Sequence, residues 1–169
     1  SNMMPNAILG DALIESCRSI GVPAYTDEEL AFAKSLQATI STPEDTLSRV
    51  TRLCTSADRA EVFNHQGESI YTFIAPHCPT DIPLIPVSTD VGDASWCAPT
   101  AQISTAAWPA GTPAHSWQVV SCGKSSAAHK AMLYAGSALA LTAAKLMQSP
   151  ETLALAKKEF DAKLAAHPY

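Results

Sequence analysis

Two kinds of residue pattern alternate along the chain, and this alternation most constrains its fold. Segments at both ends repeat apolar residues every three or four positions, which is the spacing of one helix face, whereas β-branched and aromatic residues cluster between them. The first helical stripe runs from Ile8 to Ile20, and Gly21 followed by Pro23 ends it. A chain of this pattern predicts helices arranged around a few strands.

Local start signals mark further helices. Thr26 is spaced from Glu29 as in a capping box, in which two side chains satisfy each other's free backbone N–H groups. Thr42-Pro43 predicts a third helix, since proline at the first helical position loses no hydrogen bond. Ser125 or Ser126 caps a long alanine-rich helix that reaches Gln148, and Ser149-Pro150 opens the last one.

Three segments have the composition of strands. They are residues 69–74, residues 100–108 and residues 117–120, each rich in β-branched or aromatic residues and bounded by Pro or Gly. Helices that flank a small sheet predict a layered α/β/α fold in a single domain over residues 3–169. So few strands leave sheet edges unpaired, which favours a partner chain or a second copy.

Charge and cysteine content exclude several functions. The 169 residues carry a net charge of −5 without a Lys/Arg block, so no nucleic-acid partner is expected. No apolar run is long enough to span a bilayer and no signal peptide opens the sequence, so we expect no membrane association and a cytoplasmic location. The five cysteines are scattered without a CxxC pair, which disfavours a zinc ribbon, and Cys17 and Cys54 fit buried, unreactive positions.

Two polar loops are candidate sites. The run from Ser88 to Trp96 carries Thr89, Asp90 and Asp93, and a Gly/Pro loop presents His115 beside Ser116. A histidine on a short loop is well placed to bind zinc, and His129, in the first turn of the long helix, is the alternative. The two aspartates fit a metal site or an ordinary turn and helix cap equally well.

The motifs of a complete catalytic centre are missing from the chain. It contains no HExxH, no paired glutamates and no His-x-Asp, and it also lacks a Walker A loop, a GxSxG elbow and a GxGxxG turn. One histidine and two carboxylates fall short of a bridged two-metal site, which needs about five or six ligands and a carboxylate base. The residue patterns by themselves therefore predict an α/β domain with a polar loop cluster and no catalytic residue.

A resemblance to a known family goes further than these patterns. The segments that carry it are STDVGDASW at 88–96, GTPAHSWQVV at 111–120 and GKSSAAHK at 123–130, together with VPAYTDEE at 22–29 and the closing AHPY. In these segments the chain resembles the aminoacylase/carboxypeptidase family of dinuclear zinc peptidases. The resemblance covers nearly the whole chain.

This resemblance implies a metal-dependent amidohydrolase. Family members hold two zinc or manganese ions in an α/β domain and cleave an amide next to a free carboxylate, here in aminobenzoyl-glutamate or another N-acyl amino acid. The family's last metal ligand is a histidine written His-Ser, which His115 and Ser116 match, and His129 is the fallback ligand. Thr89, Asp90, Asp93 and Ser116 would then shape the site.

The resemblance also implies what the chain does not contain. The family's other metal ligands lie in an N-terminal half, and a lid domain follows them, so the chain corresponds to the C-terminal part of the catalytic domain and is expected to be inactive alone. We expect it to form a homodimer or to pair with a complementing subunit. The alternative is a non-catalytic module or remnant that pairs with another chain.

Overall fold

A computed structural model describes residues 2–51, 55–76 and 89–166. Within these residues the chain forms eight helices and no strand; the helices are α1 (Ala7–Ile20), α2 (Asp27–Gln37), α3 (Thr46–Val50), α4 (Ser56–Phe63), α5 (Val91–Ser95), α6 (Trp117–Cys122), α7 (Ser126–Met147) and α8 (Pro150–Ala166). A single isolated parallel bridge between Pro5 and Thr100 is the nearest approach to a sheet in the described residues. None of these helices is long and apolar enough to cross a membrane.

The predicted α/β/α fold is therefore wrong, and the three strand predictions fail for local reasons. Around residues 69–74, the backbone N–H and hydroxyl of Thr72 donate to Glu68 Oε2 at 2.9 and 3.0 Å, so a side chain occupies the donor that a neighbouring strand would use. Ile70 is 1% exposed, so its β-branched side chain packs in the core without any strand pairing. β-branched and aromatic residues are common in any buried segment, so their presence alone does not distinguish a strand from a buried loop.

The other two segments also find partners outside a sheet. Residues 117–120 belong to helix α6, because the Ser116 side chain caps it and accepts from the Val119 N–H. In residues 100–108, the carbonyls of Ala106 and Ala107 accept from the Tyr25 hydroxyl at 3.4 Å and the Cys122 thiol at 3.3 Å. Side-chain donors replace the ladder that a strand requires.

The predicted helices at the two ends of the chain are confirmed. The capping box at Thr26 and Glu29 opens α2 with both of its hydrogen bonds present. The third helix begins at Thr46 instead of Pro43, because the Asp45 side chain accepts from the Ser48 N–H at 3.0 Å and sets the start there. The sequence patterns did not predict α4 and α5.

The chain divides into two compact units. One comprises the described parts of residues 1–19, 77–103 and 138–169, and the other comprises residues 20–76 and 104–137 without 52–54. We refer to them as the terminal unit and the central unit.

Asn6, which is 4% exposed, connects the three segments of the terminal unit. Its backbone N–H donates to the Thr100 carbonyl at 3.1 Å, its side-chain amide donates to the Ala156 carbonyl at 2.9 Å, and its side-chain oxygen accepts from the Leu9 N–H at 3.0 Å. A single buried amide thus caps α1 and links it to α8 and to the segment after α5.

A carboxylate from α8 supports the same end of α1. Glu159 accepts from the backbone N–H groups of Ala7 at 2.9 Å and Ile8 at 3.2 Å, and pairs with Lys163 at 2.8 Å. Burial raises the pKa of Glu159, but the N–H donors of α1 and the Lys163 ammonium outweigh it and lower the pKa overall. The negative charge also suits the positive end of the α1 dipole.

The core of the central unit is built from small side chains. Ala33 of α2, Ile70 and Ala127 of α7 are each at most 2% exposed, and Tyr25 and Ala106 pack against them. The alanines let the backbones of α2 and α7 approach closely. The space that remains between the two helices is filled by one large side chain, Ile70. This arrangement fixes the start of α7 against the middle of α2.

Candidate functional site

The loop that carries His115 is held at its base by backbone hydrogen bonds. Ala110, which is buried, donates its N–H to the Ser69 carbonyl at 2.8 Å and accepts from the Gln37 side-chain amide at 3.0 Å. Thr112 turns the chain by donating its hydroxyl to the Pro109 carbonyl at 2.6 Å. These contacts fix the first half of the loop to α2 and to the segment around Ile70.

The second half of the loop is held by Gly111 and Glu44. The Glu44 N–H donates to the Gly111 carbonyl at 2.9 Å, and its carboxylate accepts from the Ala114 N–H at 3.2 Å. Gly111 has a φ of +78°, and a Cβ added there would lie 3.1 Å from the Pro43 Cβ. Glycine is required at this position both for the backbone angle and for the close approach.

His115 itself is in a strained backbone conformation. Its φ is +59°, and it is the only non-glycine residue of the described chain in the left-handed region. The side chain is exposed, and Ser116, directly after it, is the N-cap of α6. Such strain costs about 1–3 kcal/mol and persists where the surroundings over-determine it, so an exposed imidazole on a pinned and strained loop marks a candidate functional residue.

The second predicted histidine lies on a regular helix. His129 is exposed in the first turn of α7, where its backbone N–H donates to the Ser125 carbonyl at 3.1 Å. The Ser125 side chain accepts from the Ala128 N–H at 3.1 Å and caps the helix, as predicted. His129 thus has neither the loop nor the strain that distinguishes His115.

The acidic run lies in the terminal unit, whereas both histidines lie in the central unit. Thr89 accepts from the N–H groups of Val91 and Gly92, and the Asp90 carbonyl accepts from the Ala94 N–H at 3.2 Å. Asp90 is the N-cap residue of α5 without a side-chain capping bond, and Asp93 lies in the first turn of that helix. These contacts match the helix-start interpretation of Thr89, Asp90 and Asp93.

A charged cluster at the start of α7 was not predicted from the sequence. Glu29 of α2, 8% exposed, pairs with Lys130 at 2.7 Å, and Lys130 also donates to the Ala24 carbonyl at 2.9 Å. The pKa of Glu29 is lowered to about 2, first by the hydrogen bond from Lys130 and then by those from the Ser126 side chain and the Thr26 backbone. The capping box in the sequence points to Glu29. Its partner Lys130 is 101 residues away, so no local pattern predicts the ion pair.

This cluster borders a pocket of about 450 Å³ that is open to solvent. The pocket lies between the first turn of α2 and the start of α7, and it is lined by Thr26, Glu28, Glu29, Phe32, Ser121, Lys124, Ser125, Ser126 and Ala127. Its charged groups have both signs, and Glu29 and Lys130 satisfy each other beside it. The arrangement stabilises the junction of the two helices.

The described residues do not form a complete metal centre. No group of three or more His, Cys, Asp or Glu side chains within them is placed to hold a metal ion. Cys17 is buried, as predicted. Cys122 is also buried, whereas Cys97 is exposed. Cys54 and Cys78 lie outside the described residues. The described side chains alone therefore do not provide the two-metal site that the resemblance implies.

Comparison with known proteins gives the class first. No protein-family model matches the chain, and no solved structure matches it. Among curated proteins, the chain is similar to one component of a hydrolase. That relative is the B subunit of p-aminobenzoyl-glutamate hydrolase from Escherichia coli (strain K12), to which the chain is 35% identical over 171 aligned residues. The match includes all of this chain and 35% of the relative, so the chain spans about a third of the relative's length.

Proposed function

We propose that this chain supplies His115 as one metal ligand of an amidohydrolase centre that cleaves aminobenzoyl-glutamate or a related N-acyl amino acid. The metal is zinc or manganese, and its other ligands come from polypeptide outside the described residues. The substrate follows from the name of the relative, which is 35% identical over the whole of this chain. Asp90 and Asp93, at the start of α5, do not hold the metal.

The observation that carries this proposal is the geometry of His115. A single exposed histidine ordinarily has no functional role, but His115 has a φ of +59° and lies on a loop held by hydrogen bonds of Ala110, Gly111 and Ala114. A pinned loop presents its imidazole in a fixed direction, which a ligand of a metal centre requires. An imidazole nitrogen is also a common ligand of zinc sites.

The test uses a chimaera in which this chain replaces the matched segment of the E. coli relative. His115→Asn is the informative variant, because asparagine tolerates the left-handed backbone and removes the imidazole. We expect aminobenzoyl-glutamate hydrolysis to fall more than about 100-fold, since even the hydrogen-bond partners of metal ligands cost about 10–100-fold when they are lost. Metal bound per chain is expected to fall in parallel, while the unfolding temperature stays unchanged.

The matched control is His129→Asn, which removes an exposed imidazole from a regular helix in the same unit. We expect it to keep the activity of the unaltered chimaera, and its free energy of unfolding to change by less than about 0.5 kcal/mol, as for surface changes away from a site. The assignment is wrong if His115→Asn keeps its activity and metal. If His129→Asn loses both instead, the fallback ligand is the correct one.

A further inference from the structure

Helix α7 is mostly apolar and contains no acidic residue. Its 22 residues contain two charged side chains, Lys130 and Lys145, and each pairs with a glutamate of a neighbouring helix, at 2.7 Å to Glu29 and 3.0 Å to Glu15. Both lysines flank the packed side, where Ala131 and Ala138 are at most 1% exposed. A surface helix normally places its charged side chains toward solvent, whereas those of α7 lie beside its packed side.

The opposite side of α7 is exposed and carries no Asp, Glu, Lys or Arg, although His129 and Ser137 of the same helix are exposed as well. We call it the α7 outer face, and it carries Met132, Leu133, Gly136, Leu139, Ala143 and Met147. Four of these are large apolar side chains with about half to four-fifths of their surface exposed, from 49% for Leu139 to 82% for Met147. Around Gly136, a Cβ would meet nothing within 4 Å. The centre of this face is therefore open enough for another backbone to approach closely.

We propose that the α7 outer face is the docking surface for the polypeptide equivalent to the part of the E. coli relative that this chain does not match. That part is about two thirds of the relative's length. The inference rests on the proposed function, which places the other metal ligands outside the described residues.

A second copy of the chain fits this face less well. A 22-residue helix is about 33 Å long and about 10 Å wide, so its outer face covers roughly 330 Å², less than half of the ~800 Å² that each partner buries in a stable interface. Two copies would also bring together two net charges of −5. A larger partner can enclose the face and its flanks and needs no charged groups opposite it.

The test is capture of that polypeptide by the full chain. The tagged chain is co-expressed with the part of the relative outside the match, and we expect a one-to-one complex. Met132→Lys/Leu139→Lys places two charges on the α7 outer face and is expected to reduce the captured amount at least tenfold. The matched control is Leu153→Lys/Leu155→Lys on α8, which makes the same change at leucines of similar exposure and is expected to capture normally.

Four results would overturn the docking surface. They are no capture by the unaltered chain, equal capture by the α7 variant, equal loss in the α8 control, and a dimer of the chain alone that the α7 variant converts to monomers. Where the separate polypeptide is insoluble, the chimaera replaces it. The α7 variant should then lower the unfolding temperature of the chimaera and leave that of the isolated chain unchanged, and an unchanged chimaera refutes the inference.

This test is independent of the activity assay. His115→Asn is expected to keep full capture, because His115 lies outside α7. Loss of capture only in the α7 variant, together with an active His115→Asn chimaera, would remove the proposed ligand and keep the docking surface. The reverse pattern would remove the docking surface and keep the ligand.

Discussion

Gly111 provides the most direct test of how the His115 loop is held, because the chain contains a matched control. Gly111 and Gly21 have nearly the same backbone angle, with φ of +78° and +77°. A Cβ at Gly111 would lie 3.1 Å from the Pro43 Cβ and 3.5 Å from the Glu44 carbonyl oxygen, whereas a Cβ at Gly21 would meet nothing within 4 Å. The difference between the two alanine variants therefore isolates the contact.

The expected magnitudes follow from these two environments. Alanine in the left-handed region costs about 1–2 kcal/mol, and the lower entropy of the unfolded alanine chain offsets about 0.4–1 kcal/mol of that cost. Gly21→Ala should therefore lose about 1 kcal/mol. Gly111→Ala loses the same amount and adds about 1–2 kcal/mol, because the proline ring is rigid and the contact is tighter than ordinary packing. At about 2–4 °C per kcal/mol for a chain of this size, the unfolding temperature should fall by about 3 °C and about 8 °C.

The assay is thermal unfolding followed by far-ultraviolet circular dichroism, with urea unfolding of the same samples as a second measure. Gly136→Ala serves as a further reference, since removing a glycine from a helix interior with open space should stabilise α7 by about 1 kcal/mol. The reasoning is refuted if Gly111→Ala is no more destabilising than Gly21→Ala. That result would mean that the loop moves away from Pro43 at little cost and does not hold His115 rigidly.

Three further predictions concern single side chains. Glu29→Gln should lower the unfolding temperature at pH 7. The pKa of Glu29 is about 2 in the folded chain and 4.5 ordinarily, so its stabilisation is present above pH 4.5 and is lost as the pH falls toward 2. The unfolding temperatures of the variant and the unaltered chain should therefore converge over that range, and a constant difference would contradict the prediction. His115→Gly should raise stability by about 0.5–1 kcal/mol in urea unfolding by relieving the left-handed strain, and a loss would show that the imidazole packs. Ser95→Ala should cost about 1–3 kcal/mol in the same assay, because the Met4 N–H loses a buried acceptor at 2.8 Å, whereas the exposed Ser35→Ala should change stability by less than about 0.5 kcal/mol.

The fold was predictable where structure is decided locally. The capping box of α2, the stripe of α1 and the capped start of α7 all follow from residues within one or two turns, and the described helices match them. The lack of strands in the described residues was not predictable in this way, because a strand forms only if another segment pairs with it. Side-chain donors such as Tyr25 and Cys122 take the acceptors of residues 100–108, and nothing in the segment itself reveals that.

The candidate site was predictable only in part for a similar reason. The sequence shows that His115 lies in a Gly/Pro loop, but the contacts that hold this loop come from Gln37, Glu44 and Ser69, each at least 40 positions away in the chain. The aspartates were ambiguous because the same residue types bind metal and begin helices. Their placement at the start of α5 favours the second role.

The three hydrogen bonds of Asn6 have a consequence for the order in which the chain acquires its structure during synthesis. The terminal unit draws its residues from 1–19, 77–103 and 138–169, and Asn6 must reach Ala156, 150 residues later. Helix α1 therefore leaves the ribosome long before α8 exists to cover it. Contacts this distant in sequence slow folding. The central unit, whose residues end at 137, can condense first, and α1 stays an uncovered amphipathic segment until α8 has been made.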